Sequence, residues 1–411
     1  MNFKFFSGIF LGLILSIKTY ALVGADDLFR TVEASHQEIL ALQKNSESAK
    51  ASGQAAFSGF LPTLSVVGGW QSNRVDNPFE TERGYNGYIE GRLNIFRGFK
   101  DASFKSRLQL AGELALIDLE LKKREIRFEL TEVLTDLIIL HQLQEIILEE
   151  LSINKTQKQM AQRKVSAGMT SKVDNLEFEL RESEIMLEQK HVDQQHEESH
   201  QKYFSLTGVA LQDSDVKKVN FSSESAFSNL NKKVNLSQTL QYQKASLLQA
   251  QAEYSKNELK SDFLPTLDFT YAVGRITPTE EDQLKLNESK YGVQLTIPLF
   301  SGLDTYYRTR SASFLSQSLE NSKNQARNTS QADYEIQISR LNELNFAFQI
   351  NEKKISNSEK YYNLTLAEYK RGIKNSPDLV SATDRYFSAK KKKLEIQKNL
   401  ELVKVKIENY N

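Results

Sequence analysis

The sequence predicts an exported α+β protein of two similar halves, each coupling a pair of strands to a helix of unusual length. Three observations carry this. Landmarks recur at one spacing along the 411 residues, apolar residues recur in heptads between Leu114 and Ile147, and four segments alternate apolar and polar with period two. Lys plus Arg and Asp plus Glu are 53 each, so the balance excludes the basic excess that a nucleic-acid partner would require. With no cysteine, disulfides, thiolate zinc sites and thiol nucleophiles are excluded.

The first element is a targeting segment. Lys4 precedes a largely apolar stretch from Phe5 to Ile17, about 13 residues, too short to cross a ~30 Å hydrocarbon core as a helix. A signal peptide over 1–21 is expected, with cleavage as late as 25. No later apolar run reaches 18 residues, so a membrane can be entered only by strands.

The repeat comes next. Phe60-Leu61-Pro62-Thr63-Leu64 recurs 203 residues later as Phe263-Leu264-Pro265-Thr266-Leu267. Phe96-Arg97-Gly98, Gly168 and Asp174 recur 204 residues later as Phe300-Ser301-Gly302, Gly372 and Asp378. The halves are expected over 22–207 and 236–411, joined by an irregular equatorial connection at 208–235.

Each half should contain an incoming helix (Asp26–Gly59; Leu236–Ser261), two strands, a long helix (Gly98–Ala167; Gly302–Arg371) and a return helix (Ser171–Ser205; Ser376–Asn411). Gly168 and Gly372 end the long helices as residues able to take a left-handed conformation. Ile126, Val133, Leu140 and Ile147 recur every seven residues, as do Leu114, Leu121 and Phe128, which predicts coiled-coil packing.

The strands should expose one apolar face: Leu64, Val66 and Trp70; Ile89, Leu93 and Ile95; Phe269 and Tyr271; Val293, Leu295 and Ile297. Four strands leave two raw edges, which lipid forbids, and the smallest membrane barrels have eight. Several chains must therefore share one barrel. Three would give twelve strands, and a conducting lumen favours three over two. Polar hairpin tips, Arg74–Gly84 and Thr277–Ser289, carry Asp76, Glu80, Glu82, Arg83, Glu280, Glu281 and Asp282 and suit the cell exterior.

The signal peptide, the duplicated Phe-Leu-Pro-Thr-Leu segments, the Pro298-Leu299-Phe300-Ser301-Gly302 junction and the Gly-to-Asp turns together resemble the TolC-like outer membrane efflux family. The resemblance implies a homotrimer in the outer membrane, with a shared 12-stranded β-barrel in contact with lipid and a coiled-coil α-helical tunnel in the periplasm. It implies a periplasmic adaptor (membrane fusion) protein and an inner-membrane pump of RND or ABC type as partners, in tripartite efflux or type I secretion. At the tips it implies a gate in which Tyr369, Lys374 and Asp174 link neighbouring turns and Asp378 rings the constriction. Lys374 stands where the family carries arginine, Ser381 where it carries a second acid, and Asn94 where the second half has Pro298. Because the chain ends at Asn411, the equatorial collar is expected to rest mostly on Thr207–Asn235.

Pro377 and Asp378 also suit the first turn of a helix for purely structural reasons. His196 and His200, four apart beside Glu197 and Glu198, have metal-binding spacing but no third ligand. Lys390–Lys393 is expected as a solvated or partner-facing surface. No phosphate loop, nucleotide motif or Ser-His-Asp ordering occurs, so neither a catalytic site nor a cofactor is expected. The competing reading is an exported structural coiled-coil protein with a soluble β region.

Overall fold

The computed structural model describes residues 25–73, 82–211, 239–279 and 288–410. The signal peptide, Asp76, Glu80, Glu280, Glu281 and Asp282 of the hairpin tips, and most of the equatorial connection lie outside the described residues.

In chain order the elements are α1 (Ala25–Ser35), α2 (Gln37–Ala55), β1 (Thr63–Asn73), β2 (Glu82–Arg97), α3 (Lys100–Ser166), α4 (Lys172–Thr207), α5 (Leu240–Lys260), β3 (Thr266–Thr279), β4 (Glu288–Thr296), α6 (Asp304–Lys370) and α7 (Ser376–Glu408). Short 3-10 turns, Ala56–Phe60 and Ser261–Phe263, lead from α2 and α5 into the strands.

The expected first incoming helix is interrupted. His36 takes an extended ψ of 120°, and the Ser35 hydroxyl donates to the Thr31 carbonyl at 3.0 Å, a back-bond that competes with helical geometry. Both long helices are 67 residues, about 100 Å at 1.5 Å per residue. They start two residues later than the glycines suggest. Gly98 and Phe99 both have φ near +60°, as do Gly302 and Leu303, so each strand-to-helix corner is a pair of left-handed residues.

The heptads pack as expected. Ile126, Val133, Leu140 and Ile147 are buried, and Ile126, Leu130, Val133, Leu134 and Leu137 join Val32, Ile39 and Tyr203 in one core. α3 lies along α2, α4, α5 and α7, whereas among the described elements α6 packs chiefly on α5 and α7. Two polar residues that apolar counting passed over sit in the coiled-coil seams. Asn154 donates to the Phe178 carbonyl at 3.0 Å, and Asn351 to the Ala389 carbonyl at 2.9 Å. Buried amides of this kind fix register at a cost in stability.

The strands form one antiparallel sheet in the order β1-β2-β3-β4. Directly opposed residues share a face, so the register shows which side chains lie together. Val66, Ile89 and Val273 make one apolar rung, and Leu93, Phe269 and Val293 another. Ser65, Glu90, Ala272 and Lys290 make a rung of the opposite face. Leu64, Val66, Trp70, Ile89, Tyr271, Val293 and Leu295 are exposed, Val66 by 83%. Leu93 and Phe269 are half-buried against one another.

Two expected strand positions fall elsewhere. Ile95 is the extra residue of a bulge between Asn94 and Phe96, so beyond it Phe96 rather than Ile95 stands opposite Leu267 on the apolar face. Ile297 lies past the end of β4. Its would-be partner on β3 is Pro265, ahead of the first strand residue, and Pro298 has no N–H to continue the ladder.

Candidate periplasmic gate at the helical tips

Both helical hairpins turn by the same chemistry. After α3, the Gly168 N–H donates to the Val165 carbonyl at 3.0 Å and the Met169 N–H to the Lys164 carbonyl at 2.9 Å. After α6, Gly372 and Ile373 donate to Tyr369 and Glu368 in the same pattern, at 3.1 and 3.0 Å. The glycines have φ of +69° and +80°. These are paired 6→1 and 5→2 bonds, and they use up carbonyls that the helix end would leave bare.

The return helices start differently. Asn375 and Asp378 form a reciprocal cap on α7: the Asp378 N–H donates to Asn375 Oδ1 at 3.1 Å, and the Asn375 N–H to Asp378 Oδ2 at 3.5 Å. Pro377 occupies the first turn. Ser171 caps α4 without a side-chain bond, and there Asp174 instead accepts a hydrogen bond from the Thr170 hydroxyl. Asp378 therefore has a helix-capping role that is independent of any charge ring.

Tyr369 is the largest fully buried side chain, 1% exposed, within a tip cluster of Ala161, Phe178, Leu379 and Val380. Its ring meets Phe178 edge-on at 6.2 Å, and the Ser376 hydroxyl donates to its phenol oxygen at 3.4 Å. Lys164 binds it twice, with Nζ 3.8 Å from the ring centre and donating to the Tyr369 carbonyl. Burial pushes the phenol above its ordinary range; the Ser376 bond opposes this and the charge of Asp174 adds to it. Lys374 lies 3.7 Å from Asp378. Within one chain, then, Tyr369 is clamped by Lys164 and Ser376, Lys374 faces Asp378, and Asp174 holds Thr170. The three residues expected as a latch share one tip but not one contact. Lys164 and Ser376 escaped sequence reasoning because neither belongs to the repeated landmarks.

About four turns above the tips lies an ionic clasp that sequence reasoning also missed. Glu150 on α3 is fully buried, with Arg181 of α4 bonded at 2.6 Å and Lys391 of α7 at 2.8 Å. Arg181 also lies 2.9 Å from Asp384 and 2.8 Å from Glu184, and Lys391 lies 2.6 Å from Glu188. Burial raises the Asp384 carboxyl; Arg181 opposes, Glu150 and Glu184 add, and Lys391 opposes. The run Lys390–Lys393 is thus not a bare solvated face, since Lys390 pairs with Glu149, Lys392 with Glu395 and Lys393 with Glu352. His196 and His200 stack edge-on at 4.7 Å, and among the described residues no group of three or more His, Asp or Glu is placed to hold a metal ion. Among the same residues no helix is long and apolar enough to cross a membrane.

Comparison with known proteins places this geometry. Residues 233–408 match the model of the outer membrane efflux protein family. No curated protein matches in sequence. Among solved structures, the outer membrane protein VceC of Vibrio cholerae superposes with a TM-score of 0.83 at 11% identity, over 94% of this chain and 95% of that one. The CmeC outer membrane channel of Campylobacter jejuni gives 0.79 at 14% identity, covering 94% and 85%. The open state of the MtrE outer membrane channel of Neisseria gonorrhoeae gives 0.78 at 14%, covering 94% and 88%. The second half of the chain thus matches the outer membrane efflux protein family in sequence, and the whole shares the fold of solved outer membrane channels.

Proposed function

We propose that three copies of this chain form a passive export duct, with their sheets closed into one 12-stranded barrel in the outer membrane and their helical hairpins forming a tunnel in the periplasm. The supporting observation is the sheet. It pairs an apolar, exposed face with two unpaired edges, β1 and β4, and stands above helices about 100 Å long. Unpaired edges are untenable in lipid, and a second and third chain would satisfy them. The duct carries no catalytic centre. Transport energy would come from an inner-membrane pump of RND or ABC type, joined through a periplasmic adaptor protein, in tripartite efflux or type I secretion.

In this reading the tips are the gate. Tyr369, Lys374 and Asp174 hold neighbouring turns together, Asp378 contributes negative charge at the constriction, and Gly168, Gly372 and Pro377 shape the turns. Lysine at 374 gives a single-point link where a guanidinium would bind in two places, so the latch is weak. The test is conductance of purified oligomer in planar bilayers. Asp174→Ala, and Tyr369→Phe combined with Lys374→Ser, should raise closed-state conductance. Closed-state currents unchanged in both would remove the latch, and absence of any channel from folded outer-membrane oligomer would remove the duct.

A further inference from the structure

The polar face of the sheet holds charges that neither the gate nor the helical packing uses. From the hairpin end to the helix end, Glu288 lies opposite Gly274, Glu90 and Lys290 flank Ala272, Arg92 lies opposite Thr270, Asp268 opposite Asn94, and Arg97 opposite Thr266. The charges at the two ends are held in place. Glu288 accepts hydrogen bonds from the Ile276 and Thr277 N–H groups at 3.0 and 2.8 Å, and Arg97 lies 3.6 Å from Asp101. The charges between them, Glu90, Arg92, Asp268 and Lys290, make no ion pair among the described residues. The helices below behave in the opposite way, since Lys390, Lys391 and Lys393 all find carboxylates.

These charges balance in sign but not in position. Arg92 is exposed, whereas Glu90, two residues before it on the same strand and face, is half-buried. Lys290 is exposed and Asp268 half-buried. Arg and Lys carry their charge at the end of long apolar stems, and Asp and Glu on short ones. The cations therefore stand away from the sheet and the carboxylates lie close to it. Strands are ~4.8 Å apart, so Glu90 and Lys290 lie about 10 Å from each other across Ala272, too far to neutralise one another by contact. At physiological ionic strength a charge acts over about 8 Å, so a solute moving along this face feels chiefly the groups nearest to it.

We propose that Arg92 and Lys290 form a cationic inner ring in the barrel lumen, which draws in carboxylate or phosphate groups of a solute and makes these two residues specificity determinants of the duct. The inference rests on the shared barrel, because only closure turns the polar face into a lumen and brings the pairs of three chains to one level. The ring is opposite in sign to Asp378 at the tips. A solute with groups of both signs therefore meets a complementary charge at each end of its path. A purely cationic one is favoured at the tips and opposed in the barrel.

The chain has no cysteine, so a single introduced thiol reports its own surroundings. Ala272→Cys places one on the rung between Glu90 and Lys290 without removing a charge. The protein is reconstituted in lipid vesicles and treated with an anionic sulfonatoethyl or a cationic trimethylammonioethyl methanethiosulfonate. The ratio of the two rates, divided by the same ratio for a free thiol, reads the local potential and is insensitive to the thiol's own acidity. It should favour the anionic reagent by roughly two- to fivefold. Arg92→Gln with Lys290→Gln should reverse that preference, and Glu90→Gln with Asp268→Asn should increase it. Salt at about 1 M should flatten all three. A ratio at or below that of the free thiol, or one unmoved by Arg92→Gln with Lys290→Gln, would overturn the cationic ring and leave the duct standing. Val273→Cys, on the apolar face, should resist both reagents. Labelling there as fast as at Ala272→Cys would overturn the barrel, and the ring with it.

Discussion

The buried clasp gives the sharpest energetic expectation. Glu150→Ala would leave Arg181 and Lys391 without the carboxylate that joins them at 2.6 and 2.8 Å. Breaking a buried ion pair by removing one partner costs ~3–5 kcal/mol. Here both cations keep other carboxylates, Glu184 and Asp384 for Arg181 and Glu188 for Lys391, and both are about one-fifth exposed. The cost should therefore fall to about 2–3 kcal/mol, which multiplies the population of the parted seam roughly 30- to 150-fold. Hydrogen exchange reads that population directly when reclosing is fast. Amides of α7 between Ser388 and Leu394 should exchange faster by that factor in Glu150→Ala, and those around Ile126, in a separate core, should not. Glu150→Gln keeps the shape and an acceptor and should lie between the two. Wild-type protection of α7 in Glu150→Ala would show that the clasp does not hold the seam.

Other perturbations follow from the same geometry. Ile126→Ala, at a fully buried heptad position, should lose ~2–5 kcal/mol, seen as faster unfolding of the extracted protein in denaturant. Gly98→Ala should impair folding of the chain itself, since φ is +60° and the new Cβ meets Leu264 and the Ser261 carbonyl at 2.7 and 2.9 Å. Gly302→Ala strains the backbone alike but meets nothing within the chain, so its extra cost should appear in assembly, read as a loss of oligomer by light scattering. Asp384 has a raised carboxyl pKa, so the folded state holds its proton more tightly than the unfolded one. That carboxylate therefore weighs against folding at neutral pH, and the penalty fades as pH falls through the raised value toward the ordinary 3.8. Asp384→Asn should accordingly raise the thermal midpoint relative to wild type at pH 7, and the gain should shrink on acidification; a gain independent of pH would refute this sign.

What could be read from the sequence divides along physical lines. Heptads, period-two strands and glycine turns are local patterns, and the long helices start within two residues of where those patterns put them, with turns at Gly168 and Gly372. Features set by pairing partners were less legible. The place of Ile95 depends on a bulge against β3, and that of Ile297 on where β3 begins. The clasp's contacts with α7 and the Lys164–Tyr369 contact join residues more than 200 positions apart, and no local periodicity marks them. Lys390–Lys393 read as a solvated run because the carboxylates of Lys390, Lys391 and Lys393 lie on other helices.

The ionic contacts between the halves answer a problem that duplication creates. Two halves with one backbone could pair α3 with the α7 of their own chain or with that of another, and the two arrangements would bury nearly the same shape. Specificity then needs a term that separates them. The clasp supplies one, because Glu150, Arg181, Asp384 and Lys391 alternate in sign and satisfy each other only when α3, α4 and α7 come together. The repeat puts Lys354, Arg385, Leu180 and Leu187 at the equivalent positions. Setting α7 against the repeat equivalents would bring its Lys391 to Lys354, and putting Leu180 and Leu187 into the clasp would leave Glu150 with Arg181 alone. One exchange opposes like charges and the other takes a partner from a buried carboxylate, and both weigh against the wrong pairing. The charges that tell the pairings apart thus lie on the contacts between the halves, and the hairpin interiors, where nothing has to be told apart, keep the same buried positions.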